Sequence, residues 1–340
     1  MTQRSMPVVC ALSAITLGGC ASIPAQQQDP LVPFRPVSTY SIVARDAETG
    51  QLGVAVQSHW FSVGSVVPWA ESGVGAVATQ SLANPAYGYD GLDLMRSGKT
   101  APQALKALLA IDDNAAVRQV GMIDAQGNVA SHTGDRCIAH ANHLSGKADD
   151  ESVYTCQANI MADEGVPEAM AKAFNASKGD LAERLLDALD AAQHAGGDLR
   201  GMQSAAILVV AGEPSGVPYK DKLVDLRVED HERPLAEIRR LLKLHSAYEA
   251  SDLADAAMSE GDFEGALRHQ REAQRLSDNK PELAFWTAVS MVNVGQVDKA
   301  LPIFEQAFKG DPNLRELARR LPDAKLLTDD PDILARILAQ

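Results

Sequence analysis

Apolar and polar side chains begin to alternate every second residue at Thr39, and this alternation constrains the fold more than any other feature of the chain. Such a period is typical of β-strands, and it is seen over residues 39–44 and 52–56, with turn residues at 46–50 between them. Further strands are expected at 74–79, 117–123, 129–133, 154–160, 205–210 and 223–228, and helices at 90–97, 100–109, 167–176 and 181–194. Strands in blocks, separated by pairs of helices, indicate an α+β fold in which helices cover the outer faces of two stacked sheets.

Capping residues mark the start of two of these helices. Thr100 is followed three residues later by Gln103, and Asp180 is followed in the same way by Glu183. A side-chain oxygen at the first of these positions accepts a hydrogen bond from a free N–H group in the first helical turn. The sequence therefore predicts helices that begin directly after Thr100 and Asp180.

The N-terminal segment has the features of a bacterial lipoprotein signal. Arg4 supplies a positive charge, residues 7–17 are mainly apolar, and a Leu-Gly-Gly sequence stands directly before Cys20. The apolar stretch is shorter than the roughly 20 residues that span a bilayer, so it indicates a cleaved signal peptide at residues 1–19. An ordinary secretory signal with an incidental cysteine is the alternative.

We therefore expect a chain held by lipid on the periplasmic side of the cell envelope. Lipidation is expected at Cys20, and Ala21 after it favours the outer membrane. Residues 20–37 comprise this cysteine and a segment rich in Pro and Gln without periodicity, which predicts a flexible tether. No later segment is apolar enough to be expected to span a membrane.

Charge and cysteine content restrict the partners. The chain has 45 Asp and Glu against 31 Lys and Arg, so we expect no nucleic acid partner, because nucleic acids are bound by basic surfaces. Cys137 and Cys156 remain after the signal peptide and the lipid site are set aside, and in an oxidising compartment they predict one disulfide. His132, His140 and His143 lie near them and leave zinc open as an alternative, although no Cys-x-x-Cys pair and no helical His-Glu zinc motif is present.

A short sequence recurs in the C-terminal part of the chain. Gly-Asp-Phe-Glu-Gly-Ala at 261–266 returns as Gly-Gln-Val-Asp-Lys-Ala at 295–300, an offset of 34 residues. That offset is the period of tetratricopeptide repeats, in which stacked helix pairs bury a continuous core. We expect residues 234–340 to form an all-α, tetratricopeptide-like helical domain that binds a protein partner.

Sequence blocks before residue 235 occur in a recognisable order. They are TYSIVARD at 39–46, GVAVQS at 53–58, VPWA at 67–70, GAVATQ at 75–80, ANPAYG at 83–88, CQANI at 156–160, QSA at 203–205 and DLRV at 225–228. Together they resemble family 1028 of the domains of unknown function, over about residues 38–235. That family is similar to the N-terminal-nucleophile hydrolases, and the resemblance implies a four-layer αββα sandwich at residues 38–233.

The resemblance also implies a reaction mechanism. In N-terminal-nucleophile hydrolases a Thr, Ser or Cys opens the first strand, and its free α-amine, with a pKa of about 8, takes the proton from its own side chain. Thr39 matches that position. A cut between Ser38 and Thr39 is required, and without it Thr39 is only a β-branched residue that opens an edge strand. Arg45, Gln80 and Asn159 match family blocks and are the expected groups to polarise the substrate carbonyl.

These observations favour an envelope hydrolase of a small amide or peptide-like bond, with no cofactor and no metal. Two alternatives stay open. One is a catalytically inert lipoprotein that binds a ligand or serves as a scaffold, and the other is a metal-dependent hydrolase that uses the histidine cluster.

Overall fold

The structure is a computed structural model that describes residues 39–340. The predicted signal peptide, the Cys20 lipid site and the tether lie outside the described residues. The ten strands are β1 Thr39–Arg45, β2 Leu52–Ser58, β3 Pro68–Glu71, β4 Gly75–Ser81, β5 Arg118–Asp124, β6 Val129–Thr133, β7 Asn142–Lys147, β8 Val153–Asn159, β9 Ser204–Val210 and β10 Lys222–Val228. The ten α-helices are α1 Ala86–Arg96, α2 Ala101–Ile111, α3 Val166–Ala176, α4 Leu181–His194, α5 Pro234–Ser259, α6 Phe263–Leu276, α7 Pro281–Asn293, α8 Val297–Gly310, α9 Asn313–Arg320 and α10 Pro331–Leu338.

The strands form two antiparallel sheets that pack face to face. One sheet has six strands in the order β10-β9-β2-β1-β8-β7, and the other has four in the order β3-β4-β5-β6. Strands β1, β2 and β8 of the first sheet contact β4, β3 and β5 of the second. Helices α3, α4 and the start of α5 cover the outer face of the six-stranded sheet, and α1 and α2 cover that of the four-stranded sheet. The α+β class is confirmed, with helices outside two stacked sheets.

The alternation at the start of β1 sends its side chains to two different cores. Tyr40, Ile42 and Ala44 pack against α3 and α4, whereas Val43 packs between the sheets. Because both faces of the strand are buried, the polar positions of the alternation cannot point to solvent. They instead become buried polar groups, and each of these needs a hydrogen-bond partner inside the protein.

The predicted helix starts are confirmed. The Thr100 backbone N–H donates to Gln103 Oε1 at 3.0 Å in a capping box, and Asp180 Oδ1 accepts from the Glu183 N–H at 2.9 Å. Helix α1 begins at Ala86, four residues before the predicted start, since Asn84 Oδ1 accepts the Ala86 N–H at 3.1 Å and caps the turn. Strands β3 and β7 were not predicted, because their short sequences lack a clear apolar alternation.

The C-terminal part of the chain is helical, and its recurring sequence occupies equivalent positions. Gly261 and Gly295 have φ angles of +82° and +83° and lie in the turns before α6 and α8. Ala266 and its counterpart Ala300 are both fully buried. Among residues 39–340, no helix is both long enough and apolar enough to cross a bilayer.

Helix α5 connects the two parts of the chain without a break. Its first turns belong to the core beneath the six-stranded sheet, through Leu235, Ile238 and Leu242. Its later turns pack on α6 and α7 and contribute Met258 to the C-terminal core. The predicted boundary between residues 233 and 234 therefore coincides with the start of this helix, but the packing of the first domain continues to about residue 242.

The predicted disulfide is contradicted by the structure, which has free thiols at Cys137 and Cys156. Cys156 is fully buried on the helix-covered face of the six-stranded sheet, among residues of α3 and α4. Cys137 lies in the β6–β7 loop, where its thiol donates to the carbonyl oxygen of Arg118 in the other sheet at 3.3 Å. The two sulfur atoms therefore face different layers of the domain.

Candidate functional site

Thr39 is the first residue of β1, which is a central strand. It pairs with Ser58 of β2 on one side and with Asn159 of β8 on the other, so the expectation that Thr39 without a cut opens an edge strand is wrong. Side chains two residues apart on a strand share a face, and Val43 packs between the sheets, so Thr39 points between the sheets as well. Its side chain is fully buried, and its Oγ1 donates to Ser58 Oγ at 3.2 Å.

Two buried side-chain amides contact the backbone carbonyl of Thr39, and a third amide, that of Gln119, joins them. Gln80 Nε2 donates to the Thr39 oxygen at 3.1 Å, and Asn159 Nδ2 donates to it at 3.4 Å. The same two nitrogens donate to Gln119 Oε1 at 2.7 and 2.9 Å. The predicted proximity of Gln80 and Asn159 to Thr39 is therefore present. However, the amide nitrogens of Gln80 and Asn159 each already donate to two acceptors, so both residues hold Thr39 in place instead of polarising a substrate.

The chain turns sharply directly after each of these two amides. Ser81 follows Gln80 with a φ of 67°, and Ile160 follows Asn159 with a φ of 58°. Left-handed backbone is unfavourable for residues other than glycine, and most of all for a β-branched residue such as Ile160. Strands β4 and β8 thus end in strained turns that place an amide beside Thr39, and such local strain is frequent at functional sites.

A second row of polar side chains fills the space between the sheets behind Thr39. The Ser41 hydroxyl donates to Gln80 Oε1 at 2.6 Å and lies 3.1 Å from Gln157 Oε1. Gln157 Nε2 in turn donates to Thr155 Oγ1 at 2.6 Å. A Cβ atom at Gly121 would overlap the Gln157 amide, which explains a glycine within β5. These contacts satisfy the buried polar groups of β1 and β8 and join the two sheets.

Comparison with known proteins identifies the first domain. A family model described as "Family of unknown function (DUF1028)" matches residues 39–238. The chain belongs to the DUF1028 family. A crystal structure is known for a protein of the same family, SPO2555 from Silicibacter pomeroyi. The two sequences are 30% identical, and the matched region covers 60% of this chain and 88% of that protein. The two structures superpose with a TM-score of 0.53. None of the curated proteins compared with the chain matches it.

Arg45 lies at the wrong end of the DUF1028 domain for the role predicted from the sequence. It is the last residue of β1, six residues from Thr39, and an extended strand of that length spans about 20 Å. Its Nε donates to the carbonyl oxygen of Ala125 at 2.8 Å, which anchors the turn after β5. Arg45 therefore cannot polarise a carbonyl bound at Thr39, and this part of the predicted site is wrong.

A buried carboxylate near Thr39 was missed in the sequence. Asp198 lies in the loop after α4, and its backbone forms an antiparallel β-bridge with Met161, just beyond β8. Its Oδ2 accepts a hydrogen bond from the His59 N–H at 3.0 Å. The same carboxylate pairs with the guanidinium of Arg200 at 3.1 Å and is itself fully buried. It thereby fastens the loop to the end of β2 next to Ser58. The loop has no periodicity, so the sequence offered no signal for it.

The histidines of the domain are held by separate hydrogen bonds. His132 Nε2 lies 2.8 Å from the carbonyl oxygen of Ala115, and His143 Nδ1 lies 2.9 Å from Thr133 Oγ1. Burial, with a smaller effect of the nearby His132, lowers the pKa of His143. Within residues 39–340 the structure brings no three His, Cys, Asp or Glu side chains together as metal ligands.

Proposed function

We propose that the DUF1028 domain hydrolyses a small amide or peptide-like bond, with Thr39 as an N-terminal nucleophile. The observation that carries this proposal is the position of Thr39. It opens a central strand, its hydroxyl is buried between two sheets, and two side-chain amides hold its carbonyl. Such fixed geometry is what a nucleophile needs, because small displacements of the attacking atom cost large factors in rate.

The proposed fold is the four-layer αββα sandwich of N-terminal-nucleophile hydrolases. The order of layers in the DUF1028 domain, with helices outside two antiparallel sheets, supports this. In that fold the nucleophile opens the first strand, and Thr39 opens β1, which lies between β2 and β8.

The reaction requires that the peptide bond between Ser38 and Thr39 be hydrolysed first. An amide nitrogen is not basic, whereas a free α-amine with a pKa of about 8 accepts a proton near neutral pH. The Thr39 amine takes the proton from its own Oγ1, which attacks the substrate carbonyl. The C–N bond of the substrate then breaks, and the departing amine leaves with that proton. The α-amine of Thr39 then deprotonates a water molecule, which hydrolyses the ester on Thr39 and releases the acid.

We further propose that the precursor is a lipoprotein on the periplasmic side of the envelope, anchored by lipid at Cys20. The cut before Thr39 would separate the domain from its lipid, so the active form would be soluble in the periplasm. The C-terminal helices, with their 34-residue recurrence, are proposed as tetratricopeptide-like repeats that bind a protein partner.

N-terminal sequencing of the protein from envelope and soluble fractions tests the proposed function. We expect a Cys20-started form with lipid and a Thr39-started form without it. Periodate, which cleaves only a free N-terminal 1,2-amino alcohol, should convert the second form to an aldehyde, and a β-lactone should acylate it at Thr39. If active cells contain only the Cys20-started protein, the mechanism is wrong, and a catalytically inert binding scaffold becomes the better explanation.

A further inference from the structure

Besides the Thr39 carbonyl, the two amides beside Thr39 share a second acceptor, Gln119 of β5. It is fully buried, and its Oε1 accepts hydrogen bonds from Gln80 Nε2 at 2.7 Å and from Asn159 Nδ2 at 2.9 Å. In the sheet register Gln119 pairs directly with Gln80, whereas Asn159 belongs to the other sheet. Gln119 therefore joins the two sheets at the level of Thr39.

The other end of the Gln119 amide is anchored just as firmly. Its Nε2 lies 2.8 Å from the Ala158 carbonyl oxygen, 2.9 Å from Thr133 Oγ1 and 3.1 Å from the Asn142 carbonyl oxygen. Acceptors surround the nitrogen and donors surround the oxygen, so only one orientation of this amide satisfies its neighbours. That orientation in turn fixes where Gln80 and Asn159 point their own N–H groups.

We propose that Gln119 is a positioning residue for the Thr39 nucleophile, an inference that rests on the proposed function. Gln119 does not touch Thr39. It orients the two amides that hold the Thr39 carbonyl. Because that carbonyl is fixed, the α-amine and the hydroxyl of Thr39 are also held in position. Loss of Gln119 should release the two amides and let the first residue of β1 move.

The test uses the protein cut before Thr39, with wild-type and Gln119→Met forms compared in two measurements. The first is the rate at which a β-lactone acylates Thr39: the hydroxyl attacks the ring carbonyl, the ring C–O bond breaks and the ring oxygen takes the proton. We expect the limiting acylation rate of Gln119→Met to fall on the order of 10-fold to 100-fold with little change in the half-saturating lactone concentration. The second is a crystal structure of the variant, in which the Gln80 and Asn159 amides should be displaced.

Gln157→Met is the matched control, since Gln157 is an equally buried amide between the sheets whose hydrogen bonds join it to Ser41 and Thr155. It should cost similar stability yet acylate within about twofold of wild type. If Gln119→Met does not fold, Gln119→Asn replaces it. This variant stays neutral and keeps an amide, but the amide is one methylene too short to reach both sets of partners, and the same slowing is expected.

The outcomes separate the two proposals. Unmoved amides in the Gln119 variant, or displaced amides with an unchanged acylation rate, overturn the role of Gln119 and leave the proposed function standing. A wild-type protein with a free Thr39 amine that no β-lactone acylates overturns the proposed function, and the role of Gln119 in that reaction with it.

Discussion

The side-chain amide of Gln80 donates a hydrogen bond to the backbone carbonyl of Thr39 at 3.1 Å, across the interface between the two sheets. A strand normally directs its carbonyl groups within its own sheet, so a contact of this kind ties the start of β1 to the opposite layer. The contact is fully buried, and hydrogen bonds in such surroundings are costly to break without replacement. The first residue of β1 is therefore tied to both sheets.

The first prediction concerns the Thr39 hydroxyl. Thr39→Val preserves the shape of the side chain and removes the nucleophile, so β-lactone acylation of the cut protein should be abolished. The free energy of unfolding should change by only about 1 kcal/mol, because one buried hydrogen bond to Ser58 is lost. Mass spectrometry and chemical denaturation measure the two effects. Thr39→Ser is the control and should still form the adduct, and an adduct on the valine variant would place the nucleophile elsewhere.

The second prediction concerns backbone strain at Ser81, whose φ is 67°. Ser81→Gly should raise the free energy of unfolding by about 1 kcal/mol or less, because glycine adopts left-handed backbone without a steric penalty. Ser41→Gly is the matched control. Ser41 lies within β1 and bonds to Gln80, so this substitution should lower the stability instead. Denaturant titration decides the signs, and a destabilised Ser81→Gly protein would argue against strain at this turn.

The third prediction concerns the extent of the DUF1028 domain. A protein that ends at Ser246 should unfold cooperatively, whereas one that ends at Arg233 lacks Leu235, Ile238 and Leu242. Burial of three such side chains contributes on the order of 5 kcal/mol, which is much of the stability of a typical domain. Thermal unfolding followed by circular dichroism compares the two proteins. Equal melting temperatures would show that α5 belongs to the C-terminal part alone.

The fourth prediction concerns acid. Burial lowers the pKa of His143 in the folded protein, so the unfolded chain binds a proton more readily as the pH falls. The stability contribution is complete above the unfolded pKa of about 6.5 and is lost as the pH falls from there through the lower folded pKa. The slope should stay below about 1.4 kcal/mol per pH unit, since the folded and unfolded states differ by at most one proton at His143. His143→Gln should flatten the curve between pH 7 and 5, and an unchanged slope would exclude His143 as its cause.

The fifth prediction concerns the two thiols. In unreduced protein a maleimide should modify Cys137 slowly in the native state, since Cys137 is partly exposed and its pKa is raised by burial. Cys156 is fully buried and should react only after denaturation. Mass spectrometry counts the adducts. Denatured, unreduced protein without any adduct would restore the disulfide that the sequence predicted.

The features that could be predicted from the sequence are those that depend on neighbouring residues. The strand alternation from Thr39, the capping box at Thr100 and the N-cap at Asp180 were predictable, because each depends on residues within a few positions of one another. The resemblance to DUF1028 also predicted Gln80 and Asn159 as residues of the site, and both donate hydrogen bonds to the Thr39 carbonyl in the structure.

The sequence by itself determined the class of the fold, the order of eight of the ten strands described, and the residue that opens β1. Only the tertiary structure decided that Arg45 lies about 20 Å from Thr39, that Gln119 joins the two amides, and that Cys137 and Cys156 face different layers. The physical reason is that periodicity reports which face of a strand is apolar, not which sheet it meets. The partners of a buried polar side chain come from strands far apart in the chain, and packing alone brings them together.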